Sequence, residues 1–162
     1  MFIFNSGLNI GMDYSKLSVR MFLRGVRAKE IDLEDFYGKF FKRVRELNRE
    51  YNFLVTVSEG LDFRQLDGLK KGLIPGWPVS AKDCICTKGL QSSAGSRILE
   101  GYKPPFDATA VQRVRHEGGV IIGKTQQDEF GFGTFSVNSG WGIPRNPLDT
   151  TRSCGGSSGG AA

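Results

Sequence analysis

A short helical pattern runs directly into a compact run of β-branched residues, and few fold classes accommodate that order. The helical pattern covers residues 108–117, with Asp107 placed as its N-cap. Gly118 and Gly119 would close the helix, and Val120-Ile121-Ile122 then predicts a short buried strand. A helix that leads into a buried strand is typical of α/β domains, so we expect a β-sheet with helices packed around it.

A second helical pattern lies nearer the N-terminus. Apolar residues recur there at steps of three and four, at Leu33, Phe36, Tyr37, Phe40, Phe41, Val44 and Leu47. Asp32 is the predicted N-cap, and Ile31 is placed to pack against Phe36. The pattern predicts an amphipathic helix of about four turns that packs into the core. Strands are predicted at residues 52–57 and 77–81, with a loop through residues 70–75 before the second.

Length and composition fit a single folded domain. The chain has 162 residues, of which 39% are hydrophobic and 24% charged. Its apolar runs are far shorter than the roughly 20 residues of a membrane-spanning helix, so we expect a soluble protein without a membrane segment. The 22 lysines and arginines exceed the 17 acidic residues by five and are scattered, which permits contact with nucleic acid without indicating it.

The two ends of the chain bear on the bounds of the domain, and the cysteines bear on its cellular location. Residues 1–11 lack a clear period, and Met12 is a possible true start, so we expect a disordered or untranslated leader before a domain at 12–162. The odd count of three cysteines and the absence of a basic region before the apolar start favour the cytoplasm. The glycine-rich ending looks like the entry to a helix, so the domain is expected to be truncated at its C-terminal end.

The single histidine, His116, limits the catalytic classes. It falls in the last turn of the 108–117 helical pattern, where an imidazole complements the helix dipole. Hydrolases of the Ser-His-Asp or Cys-His kind need an imidazole in the site. One histidine and the Cys84-x-Cys86 pair do not supply four zinc ligands at the usual spacings. We therefore expect chemistry that uses neither an imidazole nor a metal ion.

Residues 118–125 match the phosphate-loop pattern G-x-x-x-x-G-K-[ST] letter by letter. A phosphate loop needs a strand before the first glycine and a helix after the lysine. Here a helix precedes Gly118, and the Val-Ile-Ile run prefers an extended ladder that would occupy the N–H groups a phosphate needs. We expect no nucleotide site at this position and a structural role for Lys124.

A glycine-serine loop at residues 155–160 and a lysine at the end of a strand pattern, Lys82, are the remaining candidates. The glycines allow successive N–H groups to converge on an oxyanion. A buried Lys82 would act as a general base through its uncharged amine, whereas Asp83 would face the opposite side of the strand. The residues alone leave two other interpretations open, namely a flexible linker and an ordinary surface lysine.

Five blocks of sequence together resemble the amidase-signature family. They are Lys82-Asp83, residues 98–109, residues 120–130, Arg145-Asn146-Pro147 and residues 155–160. Within the family, the blocks at 104–109 and 124–130 are most similar to the A subunits of glutamyl-tRNA(Gln) amidotransferases. The resemblance runs from about Val26 to Ala162. It implies an α/β fold with a mixed β-sheet wrapped by helices, of which this chain is the N-terminal portion only.

The resemblance also implies a Ser-cisSer-Lys hydrolase. Lys82 corresponds to the lysine that acts as the base, and Ser157, after a cis peptide bond, to the serine that passes the proton. The family's nucleophilic serine belongs to a later motif beyond Ala162, so this chain alone is expected to be inactive. The acyl side of the substrate would be bound by Phe132, Gly133 and Thr134.

For the whole protein, the resemblance implies hydrolysis of glutamine to release ammonia. The ammonia would pass to a B subunit, which uses ATP and Mg to amidate misacylated Glu-tRNA(Gln), and a small C subunit would brace the pair. No cofactor or metal is expected to be bound by this chain itself. A stand-alone amidase of the same family and a non-catalytic truncated fragment are the alternatives.

Overall fold

In the computed structural model, which describes residues 17–58 and 72–162, the strands form a three-stranded mixed sheet with helices packed against it. The elements in chain order are α1 (Val19–Arg27), α2 (Leu33–Tyr51), β1 (Leu54–Val57), β2 (Pro78–Lys82), α3 (Thr109–His116) and β3 (Val120–Thr125). Single 3-10 turns occur at Arg97–Leu99 and Glu129–Gly131. The predicted α/β class with a mixed sheet is confirmed. The predicted leader at 1–11, the start at Met12 and residues 70 and 71 of the predicted loop lie outside the described residues.

β3 is the central strand of the sheet. It runs antiparallel to β1 and parallel to β2, and all six of its residues are buried. A strand that is buried on both faces has a continuous apolar sequence rather than an alternating one. The Val-Ile-Ile run therefore predicted a strand inside the sheet. Its register sets Val120 beside Pro78 and Thr125 beside Lys82. The C-terminal ends of β2 and β3 therefore meet at one edge of the sheet.

α2 confirms the amphipathic helix and its cap. The Asp32 side chain accepts a hydrogen bond from the backbone N–H of Asp35 at 2.9 Å, and both Ile31 and Phe36 lie in the core. The helix has 19 residues and continues to Tyr51, about one turn further than the apolar pattern indicates. Asn52 then adopts a left-handed conformation with φ of 52°, which turns the chain into β1.

The core is aromatic and joins both N-terminal helices to the sheet. Phe22 of α1 packs against Phe36 at 4.9 Å and Trp77 at 5.2 Å between ring centroids. Tyr37 is wholly buried, and its hydroxyl donates a hydrogen bond to the carbonyl oxygen of Gly76 at 2.7 Å. Burial raises the pKa of Tyr37 well above its ordinary value. The aromatic stripe of α2 therefore serves core packing, as predicted.

The prediction that Asp107 caps α3 is wrong. The helix begins one residue later, with Ala108 at the N-cap position and no side-chain capping bond. Asp107 instead accepts a hydrogen bond from the backbone N–H of Lys88 at 2.7 Å and lies 3.4 Å from Arg115 Nε. His116 occupies the last turn of α3 and is exposed, in agreement with the sequence.

The phosphate-loop string folds as an ordinary strand rather than a loop. Lys124 points from β3 into the protein interior and is fully buried. Its Nζ donates hydrogen bonds to Thr87 Oγ1 at 3.1 Å, to Ser92 Oγ at 3.0 Å and to the carbonyl oxygen of Ile85. The lysine therefore fastens the loop after β2 to the central strand. Over the ranges that the structure describes, the helices are too short or too polar to cross a membrane.

Candidate active site

The structure brings Lys82 and Ser157 together, although 75 positions separate them in the sequence. Lys82 Nζ donates a hydrogen bond to Ser157 Oγ at 2.7 Å. Both residues are half-buried within this chain, which is less burial than the sequence led us to expect. An amine and a hydroxyl at this distance are within reach for direct proton transfer.

The position of Lys82 follows from the pairing of β2 with β3. Lys82 is the last residue of β2 and lies beside Thr125, the last residue of β3. Ligands and catalytic groups of α/β sheets gather at the carboxyl ends of parallel strands. Asp83 turns to the other side, where its fully buried carboxylate accepts hydrogen bonds from Ser93 N, Ser93 Oγ and Gly95 N. The alternation of a strand thus separates Lys82 from its acidic neighbour, as predicted.

The glycine-serine loop is packed and hydrogen-bonded, which excludes a flexible linker. The peptide bond between Gly156 and Ser157 is cis. A Cβ on Gly156 would lie 2.6 Å from the backbone of Phe135, so no side chain larger than hydrogen fits there. The carbonyl oxygen of Ser157 accepts a hydrogen bond from the backbone N–H of Asp128 at 3.1 Å. Gly160 donates its N–H to the carbonyl oxygen of Gln126, also at 3.1 Å.

Of the predicted substrate-binding residues, Thr134 is the one whose backbone lies against the glycine-serine loop. Phe132 has its side chain 82% exposed, and Gly133 and Thr134 are also exposed. A Cβ on Gly156 would lie 2.6 Å from the Thr134 carbonyl carbon, and a Cβ on Gly133 would overlap the Asp128 carboxylate. Their role in binding a substrate stays a prediction.

A run of buried polar residues at the end of β3 is the part of the site that sequence reasoning missed. Thr125, Gln126, Gln127 and Asp128 are each at most 2% exposed. Gln127 accepts a hydrogen bond from the backbone N–H of Cys84 at its side-chain oxygen, 3.3 Å away. The available signal is the polarity itself, because Thr125 at the end of β3 and the three polar residues after it continue directly from a buried strand, which indicates an internal hydrogen-bond network.

Charged side chains lie close to one another around the strand ends. Burial lowers the pKa of Lys124, and the nearby Asp83 carboxylate opposes that effect. Within residues 17–58 and 72–162, no three His, Cys, Asp or Glu side chains form a group suited to a metal ion. What the described residues offer is an amine paired with a serine hydroxyl, which is the arrangement for moving a proton to or from a nucleophile.

Comparison with known proteins places this geometry in a family. Residues 37–162 match the family described as Amidase. The A subunit of the glutamyl-tRNA(Gln) amidotransferase of Acidothermus cellulolyticus is 46% identical over 145 residues, which cover 85% of this chain and 29% of that protein. The crystal structure of the corresponding protein of Thermotoga maritima matches with a TM-score of 0.75 and 35% identity, over 93% of this chain and 32% of that one.

A hydrolase whose substrate differs from that of the amidotransferases is structurally just as similar to this chain. The structure of 6-aminohexanoate cyclic dimer hydrolase matches with a TM-score of 0.79 and 30% identity, over 89% of this chain and 30% of that one. The chain thus spans between 29% and 32% of the length of these three proteins. The family match covers more than three quarters of the sequence and includes both Lys82 and Ser157. The chain belongs to the amidase family.

Proposed function

We propose that the whole protein is the glutamine-hydrolysing A subunit of a glutamyl-tRNA(Gln) amidotransferase, in which Lys82 and Ser157 are catalytic. The observation that carries the proposal is the 2.7 Å hydrogen bond between Lys82 Nζ and Ser157 Oγ. The similarity to named A subunits at up to 46% identity supports the choice of substrate. A cytoplasmic location is part of the same proposal.

The proposed reaction is acyl transfer from an amide to a serine. Lys82, as an uncharged amine, accepts the proton of Ser157, and Ser157 accepts the proton of a nucleophilic serine located beyond residue 162. The nucleophile attacks the side-chain carbonyl carbon of glutamine. The carbon–nitrogen bond then breaks, and the proton returns along the same path to the departing nitrogen, which leaves as ammonia. Water hydrolyses the resulting ester to glutamate and restores the serine.

The relatives are named as the A subunit of a glutamyl-tRNA(Gln) amidotransferase, and the proposed partners come from the resemblance to that family. The ammonia passes to a B subunit, which uses ATP and Mg to activate misacylated Glu-tRNA(Gln) and converts it to Gln-tRNA(Gln). A C subunit completes the assembly. This chain binds no cofactor of its own in the scheme, because the amine and the two serine hydroxyls carry every proton that the hydrolysis moves.

A first test is the genomic DNA past codon 162. The proposal requires an open reading frame that supplies a downstream Gly-Gly-Ser motif for the nucleophile. A stop codon directly after codon 162 would contradict the proposal and identify the chain as a non-catalytic fragment.

A second test replaces Lys82 in the protein that the whole reading frame encodes. Lys82→Ala removes the base, so glutamine hydrolysis should fall about a thousandfold or more. Ammonia-driven amidation of Glu-tRNA(Gln) in the complex with B and C subunits should continue, because ammonia bypasses the amidase site. Lys88→Ala is the matched control, since Lys88 is an exposed lysine on the loop after β2. Equal loss of both activities in Lys82→Ala would reject a catalytic role.

A stand-alone amidase is the second candidate, and the TM-score of 0.79 to 6-aminohexanoate cyclic dimer hydrolase favours it. The two candidates use the same Lys82–Ser157 pair and differ in what occupies the site. Turnover of simple amides by the isolated protein, without stimulation by misacylated tRNA or partner subunits, would favour the stand-alone enzyme.

A further inference from the structure

Two buried residues outside the Lys82–Ser157 pair join the segment after β3 to the glycine-serine loop. They are Asp128 and Ser136, whose side chains are fully buried. Asp128 donates its backbone N–H to the carbonyl oxygen of Ser157 at 3.1 Å. It therefore contacts the residue whose hydroxyl meets Lys82, and a shift of Asp128 would move that hydroxyl.

The Asp128 carboxylate folds the segment that follows it. Oδ2 accepts the backbone N–H of Ser136 at 3.0 Å, and Oδ1 accepts that of Asn138 at 3.1 Å. A Cβ on Gly156 would lie 2.6 Å from Oδ2, and a Cβ on Gly133 would overlap the carboxylate. The carboxylate thus sits between two backbones that only glycine brings this close. Two acceptor oxygens are needed there, and an amide side chain supplies one.

Ser136 is the second contact with the glycine-serine loop. Its φ of 54° lies in the left-handed region that residues other than glycine seldom adopt, and its N–H bond to Asp128 holds it there. From that conformation its Oγ accepts the backbone N–H of Gly159 at 2.8 Å. The loop is therefore held at Ser157 by Asp128 and two residues later by Ser136.

We propose that Asp128 and Ser136 are positioning residues that keep the Ser157 hydroxyl within hydrogen-bond distance of Lys82. The kinetic consequence of this inference rests on the proposed function, whereas its geometric content concerns Lys82 and Ser157 alone. Catalytic groups misplaced by about 1 Å lose on the order of a hundredfold in rate, so a loop held at two points is a requirement for turnover.

The test measures the Lys82–Ser157 contact directly by NMR. The whole protein is labelled with ¹³C-lysine, and the Lys82 Cε resonance is assigned with Lys82→Arg. Ser157→Ala defines the shift of that resonance when the contact is lost. Asp128→Asn should move the resonance in the same direction, and should add no further shift in a Ser157→Ala background, because its effect passes through Ser157.

A second variant keeps the test decisive where Asp128→Asn fails to fold. Ser136→Ala removes only the acceptor of the Gly159 N–H, and it should produce a smaller shift of the same sign. Asp149→Asn is the matched control, because Asp149 is a half-buried aspartate that accepts hydrogen bonds from Thr151 N and Oγ1 within its own turn. An unchanged Lys82 resonance in folded Asp128→Asn or Ser136→Ala would overturn the inference. The inference would also be overturned if Asp128→Asn shifted the Lys82 resonance equally in the native and the Ser157→Ala backgrounds.

Kinetics of the same variants separate this inference from the proposed function. Asp128→Asn should lower kcat for glutamine hydrolysis about tenfold to a hundredfold and leave KM within about twofold. A protein that hydrolyses no glutamine yet shows the coupled shifts would reject the proposed function and keep the positioning role. If the protein hydrolyses glutamine but Asp128→Asn leaves both kcat and the Lys82 resonance unchanged, the positioning role is rejected and the proposed function is kept.

Discussion

Two lysines at the end of the sheet have opposite surroundings, and the alternation of side chains along paired strands is the cause. Lys82 lies beside Thr125, and Lys124 lies beside Ala81 in the same register. Lys82 is half-buried and meets a serine hydroxyl, whereas Lys124 is fully buried among Ile85, Thr87 and Ser92. One lysine makes the serine contact on which the proposed function rests, and the other fastens a loop.

Lys124→Met should destabilise the fold. The substitution keeps most of the side-chain volume but removes the three hydrogen bonds that Lys124 donates to the Ile85 carbonyl oxygen, Thr87 Oγ1 and Ser92 Oγ. The Ile85 carbonyl oxygen keeps the Thr87 hydroxyl as a donor. Lost hydrogen bonds to a charged group cost about 1.5–3 kcal/mol each, and the relief from burying a charge offsets part of that cost. We expect a loss of roughly 2–4 kcal/mol in unfolding free energy by denaturant titration. Lys88→Met, at an exposed lysine, is the control, and equal stability of the two variants would contradict the role of Lys124.

The stability difference between the native chain and Lys124→Met should depend on pH. Burial lowers the folded-state pKa of Lys124 below its ordinary value of 10.5, so the unfolded state binds the proton more tightly. The native chain should therefore gain stability relative to Lys124→Met as the pH rises through the interval below 10.5, and lose it as the pH falls. Unfolding titrations at several alkaline pH values measure this difference, and a flat result would contradict it.

At the residue scale, the sequence predicts the chemical pair better than the residues that support it. Lys82 and Ser157 each belong to a short block that contributes to the family resemblance, although each block alone left an ordinary surface lysine or a flexible linker open. Asp128 and Ser136 act through backbone contacts to a loop some 20 to 30 positions away, and no local pattern encodes such a contact. Their burial is a tertiary property, so their part in the site emerges only from the fold.

At the scale of elements, two aspartates before helical patterns behave differently. Asp32 caps α2 through the N–H of Asp35, as predicted, whereas Asp107 is engaged by Lys88 and Arg115 and leaves α3 uncapped. Both sequences place an aspartate directly before a helical pattern. Whether that aspartate caps the helix depends on the tertiary partners that compete for its carboxylate. α1 has no counterpart among the predicted elements because it is nine residues long with only three of them buried, too few to establish a period.

Gly123 in β3 provides a prediction at this scale. The glycine that completes the phosphate-loop string is required by packing, because a Cβ there would overlap the carbonyl oxygen of Thr56 in β1. Gly123→Ala should therefore separate β1 from β3 and lower the unfolding free energy by roughly 1–3 kcal/mol.

Gly38→Ala is the matched control for that substitution. Gly38 is exposed in α2, and a Cβ added to it would meet no neighbouring atom within 4 Å, so alanine should stabilise the helix by about 0.5–1 kcal/mol. Thermal and denaturant unfolding of both variants give the measurement. Equal effects of the two substitutions would show that packing against β1 does not require a glycine at position 123.

At the scale of the whole molecule, apolar side chains are concentrated on one exposed stretch after β3. The large side chains more than half exposed in residues 130–148 are Phe130, Phe132, Phe135, Val137, Ile143 and Leu148. Monomeric proteins seldom expose so many large apolar groups together, and such surfaces mark contacts with further protein. The chain spans about 30% of the structures it matches, which agrees with a surface that other parts of an amidase domain cover.

The 162-residue chain by itself should therefore bind an apolar dye and associate with itself. Analytical ultracentrifugation should show a mass that rises with concentration, because burial of apolar surface stabilises association at about 25 cal/mol per Å². The double substitution Phe132→Ser and Leu148→Ser removes the two most exposed side chains of the stretch and should reduce both effects. Val19→Ser with Met21→Ser, two exposed apolar residues of α1, is the control. A chain that stays monomeric and binds no dye would show that this apolar stretch is not a contact surface for further protein.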